Sequence, residues 1–330
     1  MTSDSRSRAW RCHGFGDYHD LVIEAVPEMP PGAGEVQVAV RAFAPGFPDM
    51  LMVQGRYQLK PALPFTPCAE FAGDVVAVGP DAAHYAVGDR VMGSMRFGAA
   101  AEQVVAPVGQ CYPLPPAYDY AQGAAFCVGY QTAYVALVPR GRLAAGETVL
   151  VHGAAGGVGL AAVDLAKHLG ARVIAMASGP EKLAVVRDKG ADHVIDYDSG
   201  SFRTAVKDLT GGRGADVVFD PVGGDVFDES LRCIAPFGRM LVIGFASGRI
   251  PEVRVNHVLI KQYAIIGVRA GEYGRVDPVA GAAVHEALAA LAASGAVTPH
   301  ICQRLPFGDL VAAYDAIAAR RVIGRIVIEC

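Results

Sequence analysis

The chain has 330 residues, which is long enough for about two domains and for a sizeable apolar core. Its composition, 52% hydrophobic and 19% charged, is that of a globular protein, and its net charge of −4 argues against nucleic acid or an acidic membrane surface as the main partner. The sequence has no apolar run of the roughly 18 residues needed to span a membrane, and its amino terminus lacks the apolar segment of a signal peptide. We therefore expect a cytoplasmic protein that binds a small-molecule substrate, with neither nucleic acid nor membrane as a partner.

Short runs of alternating apolar residues occupy the first 126 residues. Gly and Pro turns separate these runs, a pattern typical of antiparallel strands in a barrel-like, mainly β domain. The predicted strands are residues 35–41, 71–78, 89–92 and 102–106.

Strand and helix patterns alternate from residue 127 onward. The apolar runs are rich in Val and Ile and are separated by segments with helical spacing, as in a parallel sheet covered on both faces. The predicted strands are residues 148–153, 171–177, 193–197, 215–220, 239–245 and 263–268. The sequence therefore predicts a doubly wound α/β domain of the Rossmann type over residues 127–268.

Two further helices, near residues 279–294 and 308–320, precede a last strand at 324–329. This strand follows the six strands of the parallel sheet, so we expect it to return to the first domain. That domain is then discontinuous and consists of residues 1–126 and 269–330.

A glycine-rich turn joins the strand at 148–153 to the next helix. Its sequence, Gly-Ala-Ala-Gly-Gly-Val-Gly, differs from the usual G-x-G-x-x-G because Ala154 occupies the first glycine position. Small residues let the backbone approach a pyrophosphate, and the helix start supplies N–H groups for it. The candidate binding residues are Gly156, Gly157, Val158 and Gly159. His152, just before the turn, is interpreted as a structural hydrogen-bonding residue.

The end of the second strand of this domain indicates which dinucleotide is bound. An NAD site normally has Asp or Glu there, whereas this strand continues as Ser178-Gly179-Pro180, with no acid before Glu181. Ser178 and Lys182 can meet a 2′-phosphate, which favours NADPH. The alternative is that Ser178 caps the following helix and Lys182 is a solvated surface charge.

The sequence resembles the zinc-independent quinone oxidoreductase branch of the medium-chain dehydrogenase/reductase superfamily. The resemblance covers nearly the whole chain and is carried by several segments together: residues 53–73, 87–91, 123–134, 151–159, 190–197, 216–227 and 238–245. It implies a GroES-like substrate domain, a Rossmann domain, an active site in the cleft between them, and a homodimer joined through the Rossmann sheets.

Zinc-dependent relatives carry a Cys in the first lobe, a G-H-E segment and a four-Cys lobe. The matching segments here read Gly46-Phe47-Pro48-Asp49 and Pro67-Cys68-Ala69-Glu70, and the seven cysteines are scattered without metal-ligand spacing. We therefore predict that the protein has no metal site and that most of its cysteines are buried thiols.

The resemblance also implies roles for individual residues around the cofactor. Thr132 matches a threonine near the nicotinamide, and Gly223 lies in a turn that matches the one beside the nicotinamide ribose. Gly244 and Phe245 match the strand end beside the ring. The residues matched to 2′-phosphate contacts are Lys182, Tyr197 and Arg320, although Arg321 leaves the last assignment ambiguous.

Tyr57 is the candidate catalytic residue. It lies in Gln54-Gly55-Arg56-Tyr57, which resembles the segment holding the active-site tyrosine of quinone and enoyl-thioester reductases. A phenol can donate a proton as charge develops after hydride transfer. The alternative is a Tyr that only lines a half-buried loop. The chain departs from many relatives by having Gly46 in place of Asn, which removes a hydrogen-bonding group.

These observations predict an NADPH-dependent, zinc-independent reductase of quinones or activated carbon–carbon double bonds. One alternative is an enoyl-thioester (acryloyl-CoA-like) or alkenal reductase, in which Tyr57 or water protonates the intermediate. Another alternative, of a different class, is an NADPH-binding structural or interaction protein without significant turnover.

Overall fold

The computed structural model describes residues 5–330, and these form two compact units. Unit 1 comprises the described residues up to Val128 together with Pro299–Cys330, and unit 2 comprises Gly129–Thr298. The sequence predicted boundaries after residues 126 and 268. The first boundary therefore lies close to its predicted position, whereas the second lies well beyond it.

The amino-terminal part of unit 1 is built mainly of antiparallel strands. Its elements are β1 (Arg6–Arg11), β2 (Val22–Pro27), β3 (Glu35–Ala44), α1 (Phe47–Val53), β4 (Glu70–Val78), β5 (Arg90–Ser94), β6 (Gln103–Pro107), β7 (Cys111–Pro113) and α2 (Tyr120–Ala124). The long strand β3 pairs with both β4 and β6, and all four strands predicted for this region are present. Helix α3 (Cys127–Val135) leads into unit 2.

Unit 2 contains a six-stranded, entirely parallel sheet. The order of its strands is β10-β9-β8-β11-β12-β13, so the chain reverses direction across the sheet between β8 and β11. The strands are β8 (Thr148–Val151), β9 (Arg172–Ala177), β10 (His193–Asp196), β11 (Ala215–Asp220), β12 (Ile234–Val242) and β13 (Ala264–Gly267). This is the strand order of a doubly wound dinucleotide-binding fold, and the predicted fold class is confirmed.

The helices of unit 2 follow the strands in turn. They are α4 (Gly157–His168), α5 (Pro180–Asp188), α6 (Phe202–Leu209), α7 (Gly224–Ser230), α8 (Val255–Lys261), α9 (Ala270–Val276) and α10 (Pro278–Ser294). Local sequence sets the bounds of α10: the Asp277 side chain accepts the Ala280 N–H, Pro278 is the first helical residue, and Gly295 ends the helix at φ +66°.

Helices α9 and α10 belong to unit 2, and not to the first domain as predicted. The chain beyond α10 is fixed to this unit by Asp164 of α4 and Lys189, which follows α5. The Asp164 carboxylate accepts the Thr298 N–H at 3.0 Å, and Lys189 Nζ donates to the Thr298 carbonyl at 2.5 Å. The two side chains also form an ion pair with each other at 2.9 Å. These contacts join residues far apart in sequence, which explains why the boundary after 268 was too early.

The remainder of the chain returns to unit 1. Its elements are β14 (Ile301–Pro306), α11 (Leu310–Ala318) and β15 (Arg325–Glu329). Strand β15 pairs antiparallel with β3, where Ile328 lies opposite Phe43. The prediction that the last strand rejoins the first domain is therefore confirmed. The resulting sheet has the order β14-β15-β3-β4-β5-β7, with β6 added beside β3.

Each unit has its own apolar core. In unit 1 the core includes Phe43, Phe71 and Tyr314, and in unit 2 it includes Leu150 and Val218. Every residue of β8 and β11 is buried, as expected for central strands of a parallel sheet covered on both faces. Five of the seven cysteines are buried as predicted, whereas Cys302 and Cys330 are exposed.

Candidate functional site

The glycine-rich turn follows β8 at the point where the strand order reverses, which is where ligands bind in open α/β sheets. Gly153 adopts a φ of +55°, a conformation that favours glycine. The Ala154 N–H donates to the Met176 carbonyl of β9, and the Gly156 N–H donates to the Gly153 carbonyl, both at 2.9 Å. These bonds turn the chain sharply, so that α4 starts at Gly157.

Close packing at Gly159 brings α4 against this turn. A Cβ atom at Gly159 would lie 2.2 Å from the Gly153 carbonyl oxygen and 2.8 Å from Ala154 Cα. Only glycine allows this approach. As at any helix start, the N–H groups of Gly157, Val158 and Gly159 have no acceptor within the helix. With the positive end of the helix dipole, they form a place suited to a pyrophosphate.

A second turn, after β11, packs against the first. The buried Asp220 carboxylate accepts the N–H groups of Val222 and Gly223 at 2.8 and 2.9 Å, and burial raises its pKa. A Cβ at Gly153 would lie 3.3 Å from Val222 Cγ2, so the two turns are in contact. Asp220 therefore fixes the shape of the turn that contains Gly223. The sequence indicated this turn only through family resemblance.

The loop after β12 packs against the turn that follows β11. The Ala246 N–H donates to the Pro221 carbonyl at 3.1 Å, and a Cβ at Gly223 would lie 2.9 Å from Phe245 Cδ1. Three predicted residues, Gly223, Gly244 and Phe245, are thus brought together. Gly244 and Phe245 lie beyond the strand and not at its end, because β12 stops at Val242. The Phe245 side chain is 37% exposed.

Ser178 and Lys182 flank the end of β9. Ser178 is exposed, and Lys182 lies in the first turn of α5, half-buried. The N-cap of α5 is Gly179, at φ +83°, so the alternative that Ser178 caps this helix is wrong. The sequence reading missed Asp196, at the end of β10. Its carboxylate accepts the Gly179 N–H at 3.3 Å and the Asp198 N–H at 3.0 Å and so shapes this turn.

Tyr197 and Thr132 complete the predicted set in unit 2. The Tyr197 hydroxyl accepts the Gly153 N–H at 3.0 Å, a contact with the glycine-rich turn that the sequence did not indicate. Thr132 lies on α3, one turn beyond Gly129, whose Cβ would meet the Gly157 carbonyl oxygen at 3.5 Å. Thr132 therefore shares a helix face with a residue that packs on the start of α4.

Tyr57 and Arg320 belong to unit 1. Tyr57 is half-buried and packs against the core of that unit, and Arg320 follows α11 with a φ of +56°. The roles predicted for these two residues remain predictions.

The segments of unit 1 that match zinc-ligand positions contain a buried cluster of charged groups. The Asp49 carboxylate accepts the Gly46 N–H at 2.7 Å. Glu70 accepts the Val128 N–H at 2.6 Å and forms a buried ion pair with Arg325. Burial raises the pKa of Asp49 to about 7, although the Gly46 N–H and the Arg325 charge act in the opposite direction. Burial also raises the pKa of Glu70.

The buried thiols beside this cluster have raised pKa values. Burial holds the pKa of Cys68 and of Cys127 well above the ordinary value, so both remain neutral thiols. Within residues 5–330, no three His, Cys, Asp or Glu side chains come together in a way that could hold a metal ion.

The sequence and the fold both have close counterparts among known proteins. The family described as "Alcohol dehydrogenase GroES-like domain" matches residues 32–116, and "Zinc-binding dehydrogenase" matches residues 157–292. Quinone oxidoreductase-like protein 2 of Bos taurus is 36% identical over 339 residues, covering 98% of this chain and 97% of that protein.

Two further comparisons cover most of the chain. The synaptic vesicle membrane protein VAT-1 homolog of Homo sapiens is 31% identical over 334 residues, covering 96% of this chain and 84% of that protein. A solved mycobacterial structure complexed with NADPH has a TM-score of 0.90 and 32% identity, covering 98% of this chain and 100% of that chain.

These likenesses extend over both units. The chain belongs to the zinc-independent quinone oxidoreductase branch of the medium-chain dehydrogenase/reductase superfamily, as its sequence predicted. The protein is therefore an oxidoreductase of that family. Across residues 5–330, none of the helices combines the length and apolar character needed to cross a membrane.

Proposed function

We propose that this protein is an NADPH-dependent, zinc-independent reductase that transfers a hydride to a quinone or an activated carbon–carbon double bond. The observation that carries the proposal is the turn from Gly153 to Gly159, which leads into the start of α4 where the strand order of the sheet reverses, so that the first N–H groups of the helix can meet a pyrophosphate. The bound nicotinamide would supply the hydride. The residues of this chain would bind the cofactor, orient the acceptor against it, and donate a proton to the acceptor.

The preference for NADPH is supported by the end of β9. Ser178 is exposed there, and Lys182 lies in the first turn of the next helix, so a hydroxyl and a cation flank the strand end where the proposed site would hold the ribose. The nearby Asp196 carboxylate accepts two backbone N–H groups, which engages both of its oxygens within the protein. The mycobacterial structure that carries NADPH shares the fold.

Zinc independence is supported by what occupies the segments that match zinc-ligand positions. Glu70 forms an ion pair with Arg325 and accepts the Val128 N–H, and Asp49 accepts the Gly46 N–H. Without a Lewis acid to polarise an alcohol oxygen, reduction of an already electrophilic acceptor is the more accessible reaction. This set of contacts therefore favours a quinone or a conjugated alkene over an alcohol as the substrate.

Tyr57 is the residue we propose for proton donation. Its half-buried ring packs on the core of unit 1, which fixes its position. A phenol held in this way can donate to the oxygen on which negative charge develops after hydride transfer. An enoyl thioester or alkenal depends on such a donor more than a quinone, whose reduced oxygens can take protons from water.

A second copy of the chain is the proposed partner of unit 2. Strand β13 is an edge strand of the parallel sheet, and an open edge of this kind can pair with another strand. Ile265 in this strand is exposed, and so are large apolar side chains in the helices that precede and follow it along the chain: Val255, Leu259, Ile260, Val276 and Val279. Pairing of β13 with its own copy would form a homodimer, and burial of these side chains would stabilise it. Light scattering should give twice the chain mass, and Leu259→Asp should yield monomers.

A substrate panel tests the proposed activity. The absorbance of NADPH is followed with a series of quinones and, separately, with acryloyl and enoyl thioesters and alkenals. Faster oxidation with quinones supports the leading proposal, and faster oxidation with the second group supports the enoyl-thioester or alkenal alternative. Tight NADPH binding without oxidation by either group would instead indicate a binding protein without turnover.

A further inference from the structure

Two buried side chains, His152 and Ser230, and the half-buried Tyr197 form a continuous chain of hydrogen bonds that ends at the glycine-rich turn. His152 Nε2 lies 2.7 Å from Ser230 Oγ, and His152 Nδ1 lies 3.2 Å from the Tyr197 hydroxyl. Ser230 also bonds to the Val226 carbonyl of α7 at 2.7 Å, and the Gly153 N–H lies 3.0 Å from the Tyr197 oxygen. The chain thus links α7 to the backbone of the turn.

The chemistry of these groups fixes the position of every proton. The Val226 carbonyl can only accept, so the Ser230 hydroxyl must donate to it, and Ser230 Oγ must accept from His152 Nε2–H. Burial lowers the pKa of His152 to about 3, so the imidazole is neutral and carries one N–H. His152 Nδ1 is therefore an acceptor, and the Tyr197 hydroxyl donates to it.

The single proton of Tyr197 is consequently committed to His152. The Gly153 N–H, on the other side, donates to the Tyr197 oxygen. A phosphate oxygen can only accept a hydrogen bond, so a 2′-phosphate would have to compete with His152 for this proton. Burial raises the pKa of the Tyr197 phenol, which therefore stays protonated.

We infer that Tyr197, His152 and Ser230 are positioning residues that hold Gly153 in the conformation required for the pyrophosphate, and that Tyr197 does not select for the 2′-phosphate. The inference rests on the proposed function, because it assumes that the turn binds a dinucleotide. It also replaces the role that family resemblance gave to Tyr197. Pyrophosphate is common to NADPH and NADH, so the chain of hydrogen bonds should serve both equally.

Tyr197→Phe tests the inference, since it removes the hydroxyl and keeps the ring. The affinities of NADPH and NADH are measured by calorimetry. We expect both to weaken by the same factor, about two- to tenfold for one lost hydrogen bond, with an unchanged ratio between them. Ser230→Ala, at the far end of the chain, should give the same pattern. Loss of NADPH affinity alone in Tyr197→Phe would overturn the inference.

Tyr263→Phe is the matched control. Tyr263 is a tyrosine of unit 2 whose hydroxyl likewise meets a histidine, with His257 Nδ1 at 3.1 Å, but it precedes the edge strand β13, whereas the glycine-rich turn follows the central strand β8. This variant should leave both affinities unchanged. If it weakens them as much as Tyr197→Phe does, the effect comes from general loosening and the inference fails.

A measurement on the wild-type protein without cofactor separates this inference from the proposed function. The nitrogen NMR shifts of His152 should show the neutral form protonated at Nε2, and the Gly153 amide should exchange slowly. In Tyr197→Phe and Ser230→Ala this amide should exchange faster. Protonation at Nδ1 would refute the assignment even if NADPH binds. If neither dinucleotide binds the wild type, the proposed function and the inferred positioning role both fail, and the NMR result then bears only on the proton assignment.

Discussion

Replacing Gly159 with alanine is the sharpest test of how the turn is built. The new Cβ would stand 2.2 Å from the Gly153 carbonyl oxygen and 2.8 Å from Ala154 Cα. Ordinary van der Waals contact begins more than an ångström farther from the oxygen, and both atoms met are backbone atoms that no side-chain rotation can move. Helix α4 would have to withdraw from the turn.

The size of the effect follows from two opposing contributions. Overpacking of this kind costs about 1–3 kcal/mol, and alanine recovers roughly 0.5–1 kcal/mol through its better helix propensity. We therefore expect a net loss of about 1–2 kcal/mol and a fall in the Tm of roughly 2–8 °C. Because the displaced helix start also carries the N–H groups for the pyrophosphate, affinity for NADPH and NADH should fall together.

Thermal unfolding and calorimetric titration measure both effects, with Gly129→Ala as the control. A Cβ at Gly129 would meet only the Gly157 carbonyl oxygen at 3.5 Å and Ala161 Cβ at 3.6 Å, which is ordinary contact on the same helix start. That variant should keep its affinities and its Tm. A Gly159→Ala protein with wild-type Tm and wild-type affinities would refute the reasoning.

The remaining predictions concern the cofactor, the proton donor, the buried carboxyl and the metal. Lys182→Ala should weaken NADPH by roughly ten- to a hundredfold and leave NADH nearly unchanged in calorimetry; equal losses would contradict a 2′-phosphate contact. Tyr57→Phe should lower kcat about 10²–10⁴-fold with an alkene and tenfold or less with a quinone, without changing the Tm; unchanged rates with both would mean that Tyr57 only lines the pocket. Burial raises the pKa of Asp49 to about 7, so this carboxyl takes up a proton on folding between about pH 4 and 7, and its own contribution to stability falls as the pH rises through that range. Denaturant unfolding should show Asp49→Asn gaining on wild type by at most roughly 1.4 kcal/mol per pH unit there, and a difference independent of pH would contradict this. Dialysis against a chelator should leave turnover intact, and loss of activity restored by zinc would overturn zinc independence.

Local sequence was sufficient to predict the framework of both units. The buried strands β8, β9 and β11 consist mainly of Val and other apolar residues, which predict a parallel sheet wherever helical segments alternate with them. The glycine-rich turn was also predictable from local sequence, because the close approach at Gly159 tolerates no side chain and therefore requires glycine. Family resemblance then identified two further segments of the site, the turn that contains Gly223 and the loop that contains Phe245. The structure brings these two segments together.

What the sequence could not determine depends on contacts between residues distant along the chain. The end of unit 2 is set by Asp164 and Lys189 holding Thr298, and no local pattern indicates those bonds. The environment of Tyr197 is likewise set by His152, 45 residues earlier in the chain, whose tautomer is set in turn by Ser230, 78 residues beyond it. A tyrosine's role depends on where its one proton goes, and only the tertiary structure decided that.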